Sequence, residues 1–408
     1  MAADSSSDQR PVIPASEILA KIERGEDVKY DGVIIEGDLD VSGLELPTET
    51  EYEKLNGWPE NRKLVNSIIT ITNSEIKGNV NFSESHLKNI ANFTRTEFTG
   101  EYANFGGTKF RVIADFCEAK LDGKVNFWGA EFGSDAYFVR VELCGDADFW
   151  GVVFGRNVNF RQARFGGNAN FREAIFVGEA GFEEAEFNEN AFFVGAEFTG
   201  RYAGFWRTRF LGGDAVFDYD QFQHGLSFKD ATFSKPTSKE VACRIAKRKM
   251  EQQGDKQSAD YYFYREMEAI RLKKGIRGIE RISWPWKMQV SEWLKLFGSK
   301  IWRFGWYDIF EYVLIQCIFG YGVHPLRLFG FWILMAGAFA SFYWYFDAVE
   351  GARTSIDYIW FSIATSATPG YALYNPVGNY KIVTGIQAII GTFMWAAFIA
   401  TFARKWQR

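Results

Sequence analysis

The sequence predicts a chain wound into short coils through its first half and crossing a membrane as helices in its last fifth. Three observations carry this prediction. Phenylalanine or leucine recurs at 82, 87, 93, 98, 105, 110, 116, 121 and onward to 233, in steps of five and six residues with three stretches to seven. Such steps match neither the 3.6 of a helix nor the 2 of a long strand, so the chain must turn a corner every few residues. Two apolar stretches near the C-terminus, Leu326–Phe346 and Gly378–Ala403, each carry one charge, Arg327 or Lys381, near the start. Finally, Met1–Arg10 is polar and lacks the apolar centre of a signal peptide, so the first half is expected to stay in the cytoplasm.

Composition bounds the rest. With 408 residues, the prior is two or three domains. A chain 47% hydrophobic and 24% charged is neither disordered nor collagen-like, and its 18% aromatic content is explained by the recurring phenylalanines. Cys117, Cys144, Cys243 and Cys317 lie far apart with no C-x-x-C pair, which predicts reduced, buried thiols and no zinc site. The histidines, His86, His224 and His324, are scattered. With no nucleophile elbow, phosphate loop or ligand cluster, no enzyme and no cofactor are expected.

Taken in order, residues 1–30 form a tail and an amphipathic helix, Pro14–Arg24, suited to cap an exposed coil. Val33–Leu46 and Ile68–Phe82 are early, imperfect coils separated by an insertion at Pro47–Asn66. From there a small residue usually precedes each large one by two, as in Ala169-Asn170-Phe171-Arg172-Glu173-Ala174-Ile175-Phe176. This unit resembles the pentapeptide-repeat family. The resemblance implies a four-sided right-handed β-solenoid over residues 31–234, with stacked large residues at its centre. Four faces need about 22 residues, so Phe82 to Phe233 makes roughly seven coils. Residues 81–234 carry 15 Lys and Arg against 22 Asp and Glu. Some members of the family imitate DNA, and a topoisomerase-directed decoy is one alternative function.

Residues 235–282 reverse the sign, with 13 Lys and Arg against 7 Asp and Glu, and predict a neck of two helices meeting near Gly254-Asp255. Its basic face either meets anionic headgroups or is simply solvated. Residues 283–325 interleave Trp284, Trp286, Trp293, Trp302 and Trp306 with Lys287, Lys295, Lys300 and Arg303, a pattern of the headgroup layer and of contact with membrane lipids. Within them, residues 309–323 are apolar but interrupted by Glu311 and Gln316, and read as interfacial or partly inserted.

Between the two long stretches, residues 355–366 (SIDYIWFSIATS) form a half-helix too short to cross, with Thr354 or Ser355 as its cap, leading into Thr368-Pro369-Gly370-Tyr371. Non-helical backbone at membrane depth must be buried in protein or line water. Residues 326–408 therefore resemble the two-transmembrane potassium-channel-like superfamily. The resemblance places the filter at 367–372, with Thr365 just before it and Thr368, Pro369, Gly370, Tyr371 and Ala372 on it. It implies a homotetramer and a transient monovalent cation, potassium or sodium, at Thr368, Pro369, Gly370 and Tyr371. Proline at 369 and alanine at 372 replace the family's valine and second glycine, which argues against potassium selectivity. Gly385 and Gly391 are hinges or close-packing points, Phe398 and Phe402 share one helical face as a hydrophobic gate, and Trp395 faces lipid or pore. The positive-inside rule puts both termini in the cytoplasm of a multi-pass inner-membrane protein. The expected function is a prokaryotic-type cation channel with a cytoplasmic solenoid that binds an unknown protein, stacks with its copies or holds the assembly together, and that has no nucleic-acid partner. The other alternative is a membrane-anchored scaffold that does not conduct.

Overall fold

The computed structural model describes residues 9–52, 59–218, 221–273, 325–367 and 374–407. They fall into two units, Met1–Gln253 and Gly254–Arg408.

The first unit is a β-solenoid of about nine turns whose four faces are parallel sheets of ten, eight, nine and eight strands. Most strands are two residues long and pair with the strand one coil away, as Ala147 does with Ala169 and Phe132 with Phe154. Parallel strands stack about 4.8 Å apart, so a large residue repeated at each corner must lie directly over its predecessor. The phenylalanines do so in four ladders. In one of them Phe105, Phe127, Phe149 and Phe171 follow at 5.0, 5.0 and 4.7 Å between ring centroids. Adjacent ladders meet edge to face, with Phe149 and Phe160 at 5.5 Å and 86°. Alanine two residues earlier leaves room for the rings, and Ala147, Ala169 and Phe149 are all buried.

Two further devices turn the corners. Asn or Asp follows the small residue and accepts a hydrogen bond from the N–H two positions on: Asn126 from Trp128 at 2.9 Å, Asp148 from Trp150 at 3.0 Å, Asn159 from Arg161 at 2.9 Å. Three residues beyond the Asn or Asp the backbone adopts positive φ, as at Gly129, Gly151 and Gln162. Glycine accommodates this freely, while the polar side chains at equivalent corners are held there by the winding.

The insertion is a β-hairpin. Thr48–Tyr52 runs antiparallel to Pro59–Val65, whose last residues rejoin the face beside Ser85–Leu87. The detour puts Val28 opposite Ile69, 41 residues later, where coils beyond it pair residues 22 to 24 apart. Arg62 pins the hairpin down; its buried guanidinium donates to the Gly107 carbonyl at 3.0 Å and to Glu131 at 2.9 Å.

Both ends are covered. Helix α1 (Ala15–Glu23) buries Ala15, Ile18 and Ile22 over the first coil. Helix α2 (Pro236–Gln253) lies on the strands Gly225–Ser227 and Thr232–Phe233, and buries Ala242, Ile245, Ala246 and Met250. The expected neck is thus divided: α2 is part of the solenoid unit, and α3 (Lys256–Lys273) begins the second. Gly254, at φ 75°, ends α2 in the left-handed conformation typical of a helix terminus.

The expectation of buried thiols fails at Cys144, which is exposed, and at Cys117, which is half-buried; Cys243 is buried and Cys317 lies outside the described residues. Cys144 directly follows the inward-facing Leu143, and neighbours on a strand point to opposite sides. Burial, and then Asp115 beside it, push the Cys117 thiol up to about 12.

In the second unit α4 (Pro325–Tyr345), α5 (Ser355–Ala367) and α6 (Tyr380–Gln407) pack against one another. Arg327 at the start of α4 lies 5.8 Å from the ring centre of Tyr264 on α3. Leu326–Tyr345 and Tyr380–Ala403 are long and apolar enough to cross a membrane, and only 22% and 17% of their most apolar windows are buried. Core helices of a water-soluble fold would be covered.

Phe149→Ala should destabilise the solenoid by about 3–5 kcal/mol, because the rings above and below prevent collapse of the gap; denaturant unfolding followed by circular dichroism measures it. Iodoacetamide at about pH 8 should alkylate Cys144 well before Cys117, since only the thiolate reacts, and peptide mass mapping over time reads the order.

Candidate ion pathway

Helix α5 has 13 residues and spans about 20 Å, short of a hydrocarbon core. Its first turn is fastened by Asp357. One carboxylate oxygen accepts from the N–H groups of Arg353 and Thr354 at 2.9 and 2.8 Å and from the Thr354 hydroxyl at 2.9 Å. The Asp357 N–H donates back to the Thr354 carbonyl at 3.0 Å, so Thr354 is the cap. The Arg353 and Thr354 N–H groups, followed by the Tyr374 hydroxyl, hold this carboxyl down to about 2.

The chain returns to the end of α5 from which it set out. Ala367 closes the helix; at the next described residue, Tyr374, the hydroxyl donates to the second Asp357 oxygen at 2.9 Å. Asn375–Pro376 then pairs antiparallel with Val349–Glu350, the segment just before α5. Tyr343, Ala348, Val349, Tyr358 and Phe361 form the buried core beneath this pairing, and Tyr358 donates a hydrogen bond to Asp347.

The lower half of α5 is held by a polar cluster that sequence reasoning missed. Gln387 of α6, fully buried, shares its two Nε2 protons among three acceptors, the Ser362 carbonyl at 2.9 Å, Ser362 Oγ at 2.7 Å and Ser366 Oγ at 2.8 Å. Its Oε1 accepts from the Tyr343 hydroxyl of α4 at 2.6 Å. Ser362 Oγ donates to the Ala336 carbonyl at 2.7 Å, and Ser366 Oγ to the Ser362 carbonyl at 2.8 Å. The available signal was a lone carboxamide within an apolar span.

Of the residues singled out in the sequence, Thr365 is buried in the last turn of α5. Thr368, Pro369, Gly370, Tyr371 and Ala372 lie outside the described residues, as do residues 274–324 with the tryptophan-rich segment. Helix α6 is continuous through Gly385 and Gly391. These two glycines differ: a Cβ at Gly385 meets nothing within 4 Å, whereas one at Gly391 would lie 2.3 Å from the Ser366 carbonyl oxygen. Phe398 sits in an aromatic seam with α4, its ring 6.2 Å from Phe329, and is stacked at 5.8 Å on the largely exposed Phe402. Trp395 packs on Trp332 of α4 at 5.7 Å. Trp395 was expected to face lipid or pore and instead lies between helices, because the stripe of α6 running through Gln387 and Gly391 faces α4 and α5.

Residues 116–164 and 160–209 match the family of pentapeptide repeats in nine copies, and residues 329–408 match an ion-channel family. Comparison with curated proteins and with solved structures gives no match. The chain therefore joins a pentapeptide-repeat domain to an ion-channel domain, a non-enzymatic type.

Gly391→Ala should force α6 away from Ser366 and lower the thermal stability of the detergent-solubilised protein, while Gly385→Ala, with open space and better helix propensity, should leave it unchanged or slightly raised. Differential scanning fluorimetry on the two variants decides this.

Proposed function

We propose that this chain is a cation channel, assembled as a homotetramer around the descending helix α5 and the segment after it, with the pentapeptide solenoid in the cytoplasm. The observation that carries the proposal is the return of the chain to the head of α5, through Tyr374 and the Asn375–Pro376 strand, between two membrane-length helices. A helix that ends inside the hydrocarbon presents the negative end of its dipole and unsatisfied carbonyls there, an arrangement that favours a cation in a hydrated space.

The permeant ion is potassium or sodium, with little preference for potassium. Pro369 lacks an N–H and restricts Thr368 to extended conformations, and Ala372 resists the left-handed backbone that glycine adopts. Both departures act against a filter that aligns successive carbonyls. Arg327 at the start of the first span and the Arg404-Lys405 pair past the second support cytoplasmic termini when weighed against the connection, where Asp347, Glu350 and Asp357 offset Arg353 and Lys381.

Reconstituted into liposomes, the purified protein should pass monovalent cations and behave as a tetramer in detergent. Gly370→Leu should abolish the flux while circular dichroism still reports a folded solenoid. A monomer in tight liposomes would leave a membrane-anchored scaffold as the function.

A further inference from the structure

Gln387 is the only Asn, Gln, Asp or Glu between Tyr380 and Ala403. An amide facing hydrocarbon has no partner for its donors and acceptor, so it either turns inward or destabilises the span. Here it turns inward and reaches both α4 and α5. The hydroxyl protons have clear destinations. Ser362 and Ser366 each have one hydroxyl proton and give it to a carbonyl, Ala336 and Ser362 respectively. Both therefore present lone pairs to the Gln387 amide, whose oxygen is left for the Tyr343 hydroxyl. One turn further along α6, Gly391 lets that helix come against the Ser366 backbone.

The contacts of α6 to α5 fall on Ser362 and Ser366, in the final turns of α5 before the chain enters Thr368-Pro369-Gly370-Tyr371. The first turn of α5 is fixed independently by Asp357. Gln387 therefore governs the end of α5 that leads to the ion path and not the end that folds the outer connection.

We propose that Gln387, tied to Ser362, Ser366 and Tyr343, is a positioning residue for ion discrimination, setting where the last turn of α5 stands relative to α6. This inference rests on the channel reading. Discriminating sites hold their groups to within about 0.5 Å, and residues behind the site supply that precision. In four copies, a shift of the α5 terminus changes the spacing of groups around a common axis. The anchor carries no net charge, and its proposed effect is on geometry.

The test is a bi-ionic potassium and sodium recording on the full chain in planar bilayers, with size-exclusion chromatography and thermal melting as controls. Gln387→Leu should elute and conduct like the parent, with a reversal potential shifted by a permeability-ratio change of roughly threefold or more, on the scale of lost buried hydrogen bonds. Tyr343→Phe, which removes one bond and keeps the ring, should shift it the same way by a smaller factor. Ser341→Ala, whose hydroxyl bonds only the Gly337 carbonyl within α4, should leave it unchanged. If Gln387→Leu and Tyr343→Phe conduct with the parent's ratio, the inference is overturned and the channel stands. If the parent itself carries no current, the channel reading falls and takes this inference with it. Should Gln387→Leu fail to assemble, Tyr343→Phe decides: a shifted ratio supports the role, and an unshifted one ends it.

Discussion

A peptide group that leaves a helix has to find partners for its N–H and C=O, and this demand organises both halves of the chain. In the solenoid, strands too short to form a sheet within one coil bond to the coil on either side, which fixes a 22-residue register. Once the register is fixed, identical side chains must superimpose, and phenylalanine satisfies that condition at 4.4–5.2 Å between stacked rings from Phe110 to Phe198. The end coils have no neighbour on one side, and α1 and α2 cover them. The rings are thus a consequence of the backbone ladder as much as its support.

The winding was legible because its signal is positional. Steps of five and six exclude both regular periods, and the small-x-large pair supplies the corner. The Asn or Asp after the small residue was equally visible at Asn126, Asp148, Asn159 and Asn170, yet its role as an acceptor for the N–H two residues on requires knowing where the chain turns. Charge was the less reliable guide. The basic run after Lys235 reads as a separate neck, whereas Ala242, Ile245, Ala246 and Met250, spaced for one helical face, show that α2 belongs to the solenoid end. Burial of a helix is decided by its apolar face, and net charge reports only on the opposite one.

In the second unit, the spans and the half-helix were legible to within two residues at most ends, because length and apolarity are summed over many positions. Gln387 was not, for the same reason: a sum over 24 residues hides a single amide. The two glycines of α6 show a related limit. Sequence treats Gly385 and Gly391 alike, and only the approach of Ser366 separates open space from a contact that no side chain fits. Phe398 and Phe402 share a face, as four-residue spacing requires, but the neighbour of Phe398 on α4, Phe329, could not be read from spacing.

The exposed face of α5 bears on the proposed assembly. Ile356, Ile359 and Trp360 are largely exposed in one chain, on the side of the helix away from Phe361, Ser362 and Thr365. Lipid accepts such side chains, but a helix end within hydrocarbon needs partners that hydrocarbon does not offer. On the proposed channel reading water meets that end, and water at that depth requires walls. A single chain supplies α4 and α6 on one flank only. In the proposed tetramer, further copies of the same surface would supply the missing flank and cover the apolar face that each chain leaves open. On that reading the half-helix links two requirements: a path hydrated enough for its end, and an assembly large enough to enclose that path.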